Sequence, residues 1–166
     1  MKKGKILFLT QAALVAALYV ALTWLSKSVG LASGAVQIRI SEALCVLPVF
    51  MPATIPGLFI GCLISNISMG SNIFDIIFGS LATLIGALLT SKLKNKFLAP
   101  IPAVVSNTVI VPIVIMFCYT AKEARNLTTY LLTTLGVFAG EVISAYVFGI
   151  ILYTALEKRK NIFTKK

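Results

Sequence analysis

From Ile6 to Leu156 the chain is a succession of apolar runs separated by short breaks, several of which carry lysines. A run of about 20 such residues crosses the ~30 Å hydrocarbon core of a bilayer as a helix rising 1.5 Å per residue. In lipid every backbone N–H and C=O must be satisfied within the protein, which leaves helices as the way to build from such runs. Composition agrees, because 58% of the 166 residues are hydrophobic and 12% charged, and the mean hydropathy of +0.98 lies outside the range of soluble domains. The chain is read as an all-α integral membrane protein of one domain. Its net charge of +10 does not mark a nucleic-acid surface, since the basic residues form clusters between apolar runs and no stripe on a water-soluble element.

The N-terminal MKKGKILFLTQAALVAALYVALTWL starts basic, like a signal peptide. Its apolar run nevertheless continues into Trp24 without a clean small-residue cleavage site, so it is expected to stay as a first transmembrane helix. Apolar sequence after the Lys27, Gly30 and Gly34 loop holds Pro48, Pro52 and Pro56, which would break a single helix by removing amide donors and clashing with the preceding turn. Two short helices therefore fit better than one. Helices are expected over residues 6–25, 40–51, 54–69, 74–91, 98–119 and 128–156. With six crossings the basic clusters at Lys2, Lys3 and Lys5, at Lys92, Lys94 and Lys96, and at Lys158, Arg159, Lys160, Lys165 and Lys166 fall on one side. The positive-inside bias makes that side, with both termini, cytoplasmic.

This topology gathers the costly polar groups. An ionised side chain at membrane depth costs about 2.5 to 3.5 kcal/mol on insertion scales and usually faces a partner, a cavity or a ligand. Gln37, Arg39 and Glu42 stand where the chain enters the second helix from outside, and Asn66, Asn72 and Asp75 where the third ends and the fourth begins. Asn107 lies halfway along the fifth helix and Glu141 near the midplane of the sixth. A pocket open to the outside is the economical reading. Some of these residues have a plainer role too: Arg39 and Glu42 can neutralise each other at i, i+3, and Asn72 and Asp75 have the spacing of a helix N-terminus. Trp24, Tyr119 and Tyr146 can stack on a planar ligand, although Trp24 and Tyr119 also suit an interfacial belt. Ala12, Ala13, Ala16 and Ala17 form small-xxx-small pairs that serve packing inside the bundle or docking of another protein. The chain lacks histidine and a GxxxxGK[ST] loop, and Cys45, Cys62 and Cys118 are dispersed in apolar runs. No metal, cofactor or catalysis is expected.

The segments QIRISEALCVLP, PATIPGLFIGCLISN and FDIIFGSLATLIGALL resemble the QueT family of integral membrane proteins, substrate-binding S components of energy-coupling-factor (ECF) transporters associated with import of queuosine precursors. The resemblance covers nearly the whole chain. It implies a six-helix S component in the plasma membrane of a prokaryote, capturing its solute outside. A coupling protein and two ATPase subunits would drive the solute inward, with docking through AxxxA pairs such as Ala12 with Ala16 and Ala13 with Ala17. The implied solutes are 7-deazaguanine bases: 7-cyano-7-deazaguanine, 7-aminomethyl-7-deazaguanine or queuine. Competing readings are a self-sufficient ion-coupled transporter with Glu141 as proton site, and a membrane-embedded enzyme, against which the missing histidine and acidic cluster argue.

Overall fold

The computed structural model describes residues 2–31 and 36–159, with side chains from residue 4 onward. Gly34 and the terminal Lys160, Lys165 and Lys166 lie outside the described residues, as do the side chains of Lys2 and Lys3. Helix α1 runs Lys2–Ser28 and is followed by a 3₁₀ helix, Ile40–Val49. Helices α2 (Thr54–Ser68), α3 (Ile73–Thr90) and α4 (Ile101–Cys118) come next. The last, α5, spans Leu127–Glu157 and is interrupted by a π turn at Val142–Val147. No strand occurs among the described residues. Four helices, α1, α3, α4 and α5, are long and apolar enough to cross a membrane, whereas the 3₁₀ helix and α2 are shorter. At roughly 2.0 and 1.5 Å per residue those two reach only about 20 to 23 Å.

Glycine and asparagine end and start the helices around one end of the bundle. Gly30 and Gly70 take φ of 76° and 72°, the left-handed conformation that glycine adopts without penalty. After each, the chain closes the helix with a paired reverse bond: Leu31 N to Ser26 O and Gly30 N to Lys27 O, then Ser71 N to Asn66 O and Gly70 N to Ile67 O. Asn72 then caps α3 by accepting from Phe74 N at 3.0 Å.

Close packing of small residues sets the helix directions. Gly57 and Gly61 lie against Ala12 and Ala16, so near that a Cβ added at Gly57 would stand 2.6 Å from Ala12 O, and one at Gly61 2.8 Å from Tyr19 Cβ. Helices α1 and α2 thus run side by side in the same direction, the close approach that small residues permit in lipid. At the other end the rings of Phe50 and Tyr153 meet at 4.8 Å and the Tyr153 hydroxyl donates to Lys94 O at 2.8 Å. The interior is partly polar, with Glu42, Asn66, Thr83, Asn107 and Ser144 buried, while Leu9, Leu132 and Ile151 face outward. That distribution, apolar outside and polar within, suits lipid as the surrounding solvent.

Candidate functional site

A 3₁₀ helix has 3.0 residues per turn, so residues three apart fall in line. Arg39 at its start, Glu42 and Cys45 therefore share one edge. Glu42 is 2% exposed; its Oε1 accepts a hydrogen bond from the Tyr19 hydroxyl and its Oε2 accepts from Cys45 Sγ at 3.1 Å. Arg39 turns instead to Asn66, donating from Nη1 to Oδ1 at 3.4 Å. Arg39 and Glu42, which could neutralise each other at i, i+3, have separate hydrogen-bond partners on α1, the 3₁₀ helix and α2.

Two helices hold this edge in place. Tyr19, Thr23 and Ser26 are spaced i, i+4, i+7 on one face of α1. Below the Tyr19 bond, Thr23 donates to Ser41 Oγ at 2.8 Å, and Ser26 Oγ accepts from Ile40 N at 2.9 Å. From α5, Ser144 Oγ accepts from Arg39 N at 3.0 Å. The backbone of Gln37 rests on Gly140, where an added Cβ would be 2.1 Å from Gln37 O. One residue along, Glu141 Oε1 accepts from Asn107 Nδ2 at 3.0 Å, while Oε2 is buried with no hydrogen-bond partner.

These groups surround a small inner chamber of about 40 Å³. Its polar walls are Gln37, Arg39, Glu42, Asp75, Asn107 and Glu141, completed by Thr83, Val111 and Val137. An outer vestibule of about 410 Å³ adjoins it, bounded by Lys27, Met69, Ser71, Ile115 and Tyr119, and shares Gln37, Arg39, Asp75 and Val111 with the chamber. At this border Asp75 Oδ2 accepts from the Tyr119 hydroxyl at 3.2 Å, and Tyr119 in turn accepts from Asn72 N at 2.8 Å. Partial burial and the nearby Asp75 push the Tyr119 pKa up, which keeps the phenol a donor.

Six predicted residues thus line one cavity: Gln37, Arg39, Glu42, Asp75, Asn107 and Glu141. Asn66 stands behind them on Arg39, and Asn72 caps α3. Trp24 and Tyr146 are not among the lining residues. Trp24 is half-exposed, donates to Ser68 Oγ at 3.1 Å and carries the Lys27 ammonium 5.3 Å above its ring, whereas Tyr146 packs against the apolar core. Thr83, Lys27, Ser71 and the supporting Tyr19 and Ser144 were missed. For Tyr19 a signal existed, the i, i+4, i+7 series of hydroxyls on an otherwise apolar helix. Of the alanines, Ala16 is buried, Ala12 half-buried, and Ala13 and Ala17 exposed. They share an outward groove of about 660 Å³ with Ile60 and Ile64.

Compared with known proteins, the chain matches the sequence profile of a family described as QueT transporter over residues 9–158. It is 37% identical over 101 residues to a protein named queuosine precursor transporter QueT from Lactococcus lactis subsp. cremoris strain MG1363. That match spans 58% of this chain and 59% of the relative's length. No solved structure matches the chain.

Proposed function

The chain belongs to the QueT transporter family, and from that premise we propose that it is the solute-capturing S component of an ECF importer of queuosine precursors. The observation that carries this reading is a polar chamber, with three carboxylates and an arginine, inside an otherwise apolar helical bundle. Its solute is a 7-deazaguanine base: 7-cyano-7-deazaguanine, 7-aminomethyl-7-deazaguanine or queuine. A guanine-like edge offers adjacent N–H donors to a carboxylate, while its carbonyl and ring nitrogen accept from Arg39 or an asparagine amide. The inner chamber, about 40 Å³, is far below the roughly 300 Å³ of small-molecule sites. The base is therefore placed across the border, its polar edge inward and its bulk in the vestibule.

In this reading the chain crosses the plasma membrane of a prokaryote six times, with both termini cytoplasmic and the vestibule outside. It has no catalysis of its own. A coupling protein docked on the Ala12, Ala13, Ala16 and Ala17 groove, and two ATPase subunits, supply the energy. The test is the melting temperature of the purified chain against a panel of nucleobases and vitamins. A ligand that binds only the folded state stabilises it by RT ln(1 + [L]/Kd), so 7-deazaguanines should raise the melting point in proportion to the logarithm of their concentration, while thiamine and riboflavin should not. A panel in which no 7-deazaguanine shifts it would sink the assignment.

A further inference from the structure

Of the chamber's three carboxylates, Asp75 stands at the border and accepts from the Tyr119 hydroxyl, while Glu42 and Glu141 are in unlike circumstances. Both Glu42 oxygens already have donors, the Tyr19 hydroxyl and the Cys45 thiol. Glu141 has one oxygen held by Asn107 and the other, Oε2, buried without a partner. Among the described residues the one other buried side-chain atom in that condition is Thr108 Oγ1, and Thr108 is not part of the chamber wall. A buried acceptor left unpaired is costly and gains most when a donor reaches it. An acceptor that already receives a bond from a phenol gains less from another.

We propose that the two carboxylates divide the work: Glu141, through Oε2, reads the N–H donors on the solute's inner edge, and Glu42 is a positioning residue that keeps the Arg39 edge in place. The inference rests on the importer reading above and adds to it the chemistry of the recognised edge, a flat heterocycle with adjacent ring and exocyclic N–H groups. Asn107 fixes the orientation of Glu141 by holding Oε1, which presents Oε2 in one direction only. Sites built to pair a ligand N–H discriminate strongly against analogues lacking it, because the protein group is then left unpaired.

Two probes decide the matter: 7-aminomethyl-7-deazaguanine and its 7-deazahypoxanthine counterpart, which lacks the 2-amino group. Their affinities are measured by calorimetry on the full chain and on Glu141→Gln and Glu42→Gln. The wild-type protein should prefer the first probe by about tenfold or more, the scale of a hydrogen bond to a charged group. Glu141→Gln should bring the two affinities within about twofold, while Glu42→Gln should weaken both alike and keep their ratio. A ratio that survives Glu141→Gln, or one that collapses in Glu42→Gln, overturns the division. Should Glu141→Gln not fold, Glu141→Asp keeps the charge but withdraws it by one methylene, and an unchanged ratio there overturns the proposal equally. A wild-type protein that binds neither probe removes the importer reading itself, and this inference with it.

Discussion

Glu42 takes donors from two different elements, so its orientation depends on Tyr19 and Cys45, which are not part of the chamber wall. Tyr19→Phe removes the phenol hydroxyl and leaves one buried carboxylate oxygen short of a donor, a change that costs about 1 to 3 kcal/mol. The melting temperature of the purified chain should fall, and affinity for a 7-deazaguanine should fall with it as Glu42 leaves its position. Thr10→Val, which removes an exposed hydroxyl bonded only to Ile6 O, should do neither; equal behaviour of the two variants would deny Tyr19 its role. Charged and amide residues were legible in the sequence because lipid penalises them, and Arg39, Glu42, Asp75, Asn107 and Glu141 do share one cavity. Hydroxyls were not, since in helices they can satisfy themselves on the preceding turn. Ser65 bonds Gly61 O and Ser80 bonds Ile76 O, whereas Ser144 meets Arg39 N, and the sequence treats all of these alike.

At the scale of the element, α1 has two faces with different tasks. Its inner face carries the Tyr19, Thr23 and Ser26 ladder to the 3₁₀ helix, and its flank at Ala12 and Ala16 is pressed onto Gly57 and Gly61. The alanine repeat alone could not say which pairs face inward, because the register depends on the partner glycines of α2. Substitution at Ala16 would disturb the bundle, so the clean probe of docking is exposed Ala13. Ala13→Leu should leave solute binding and the melting temperature near wild type while reducing co-purification of the coupling protein and ATPases; retained assembly would remove α1 from the docking surface. Hydropathy placed the boundaries of the helices within a few residues. It missed the 3₁₀ winding of Ile40–Val49 and the π turn of Val142–Val147. Those differ from an α-helix in hydrogen-bond partner and hence in pitch, and they lie next to the contacts of Gln37 with Gly140 and of Arg39 N with Ser144.

For the whole molecule, consecutive elements reverse direction: α1, α2 and α4 lead toward the vestibule, and the 3₁₀ helix, α3 and α5 lead away. The end of α4 at Tyr119 meets the start of α3, and Tyr153 near the end of α5 reaches Lys94 ahead of α4. The 3₁₀ helix and α2, at about 20 to 23 Å each, fall short of the ~30 Å hydrocarbon core. Water in the vestibule and a locally thinned bilayer would make up the difference, whereas a hairpin dipping in from one face would not need to. Both arrangements leave Lys5 and Lys92 on the same side, so the basic clusters alone do not separate them. A single cysteine at Met51, between the two short elements, does. In a background with Cys118 replaced, Ser71→Cys should react with an impermeant maleimide in intact cells, and Lys5→Cys, Met51→Cys and Lys92→Cys only after permeabilisation. Reaction of Met51→Cys from outside would make the pair a re-entrant hairpin, and reaction of Lys92→Cys rather than Ser71→Cys would turn the vestibule to the cytoplasm, where a capture site for import has no use.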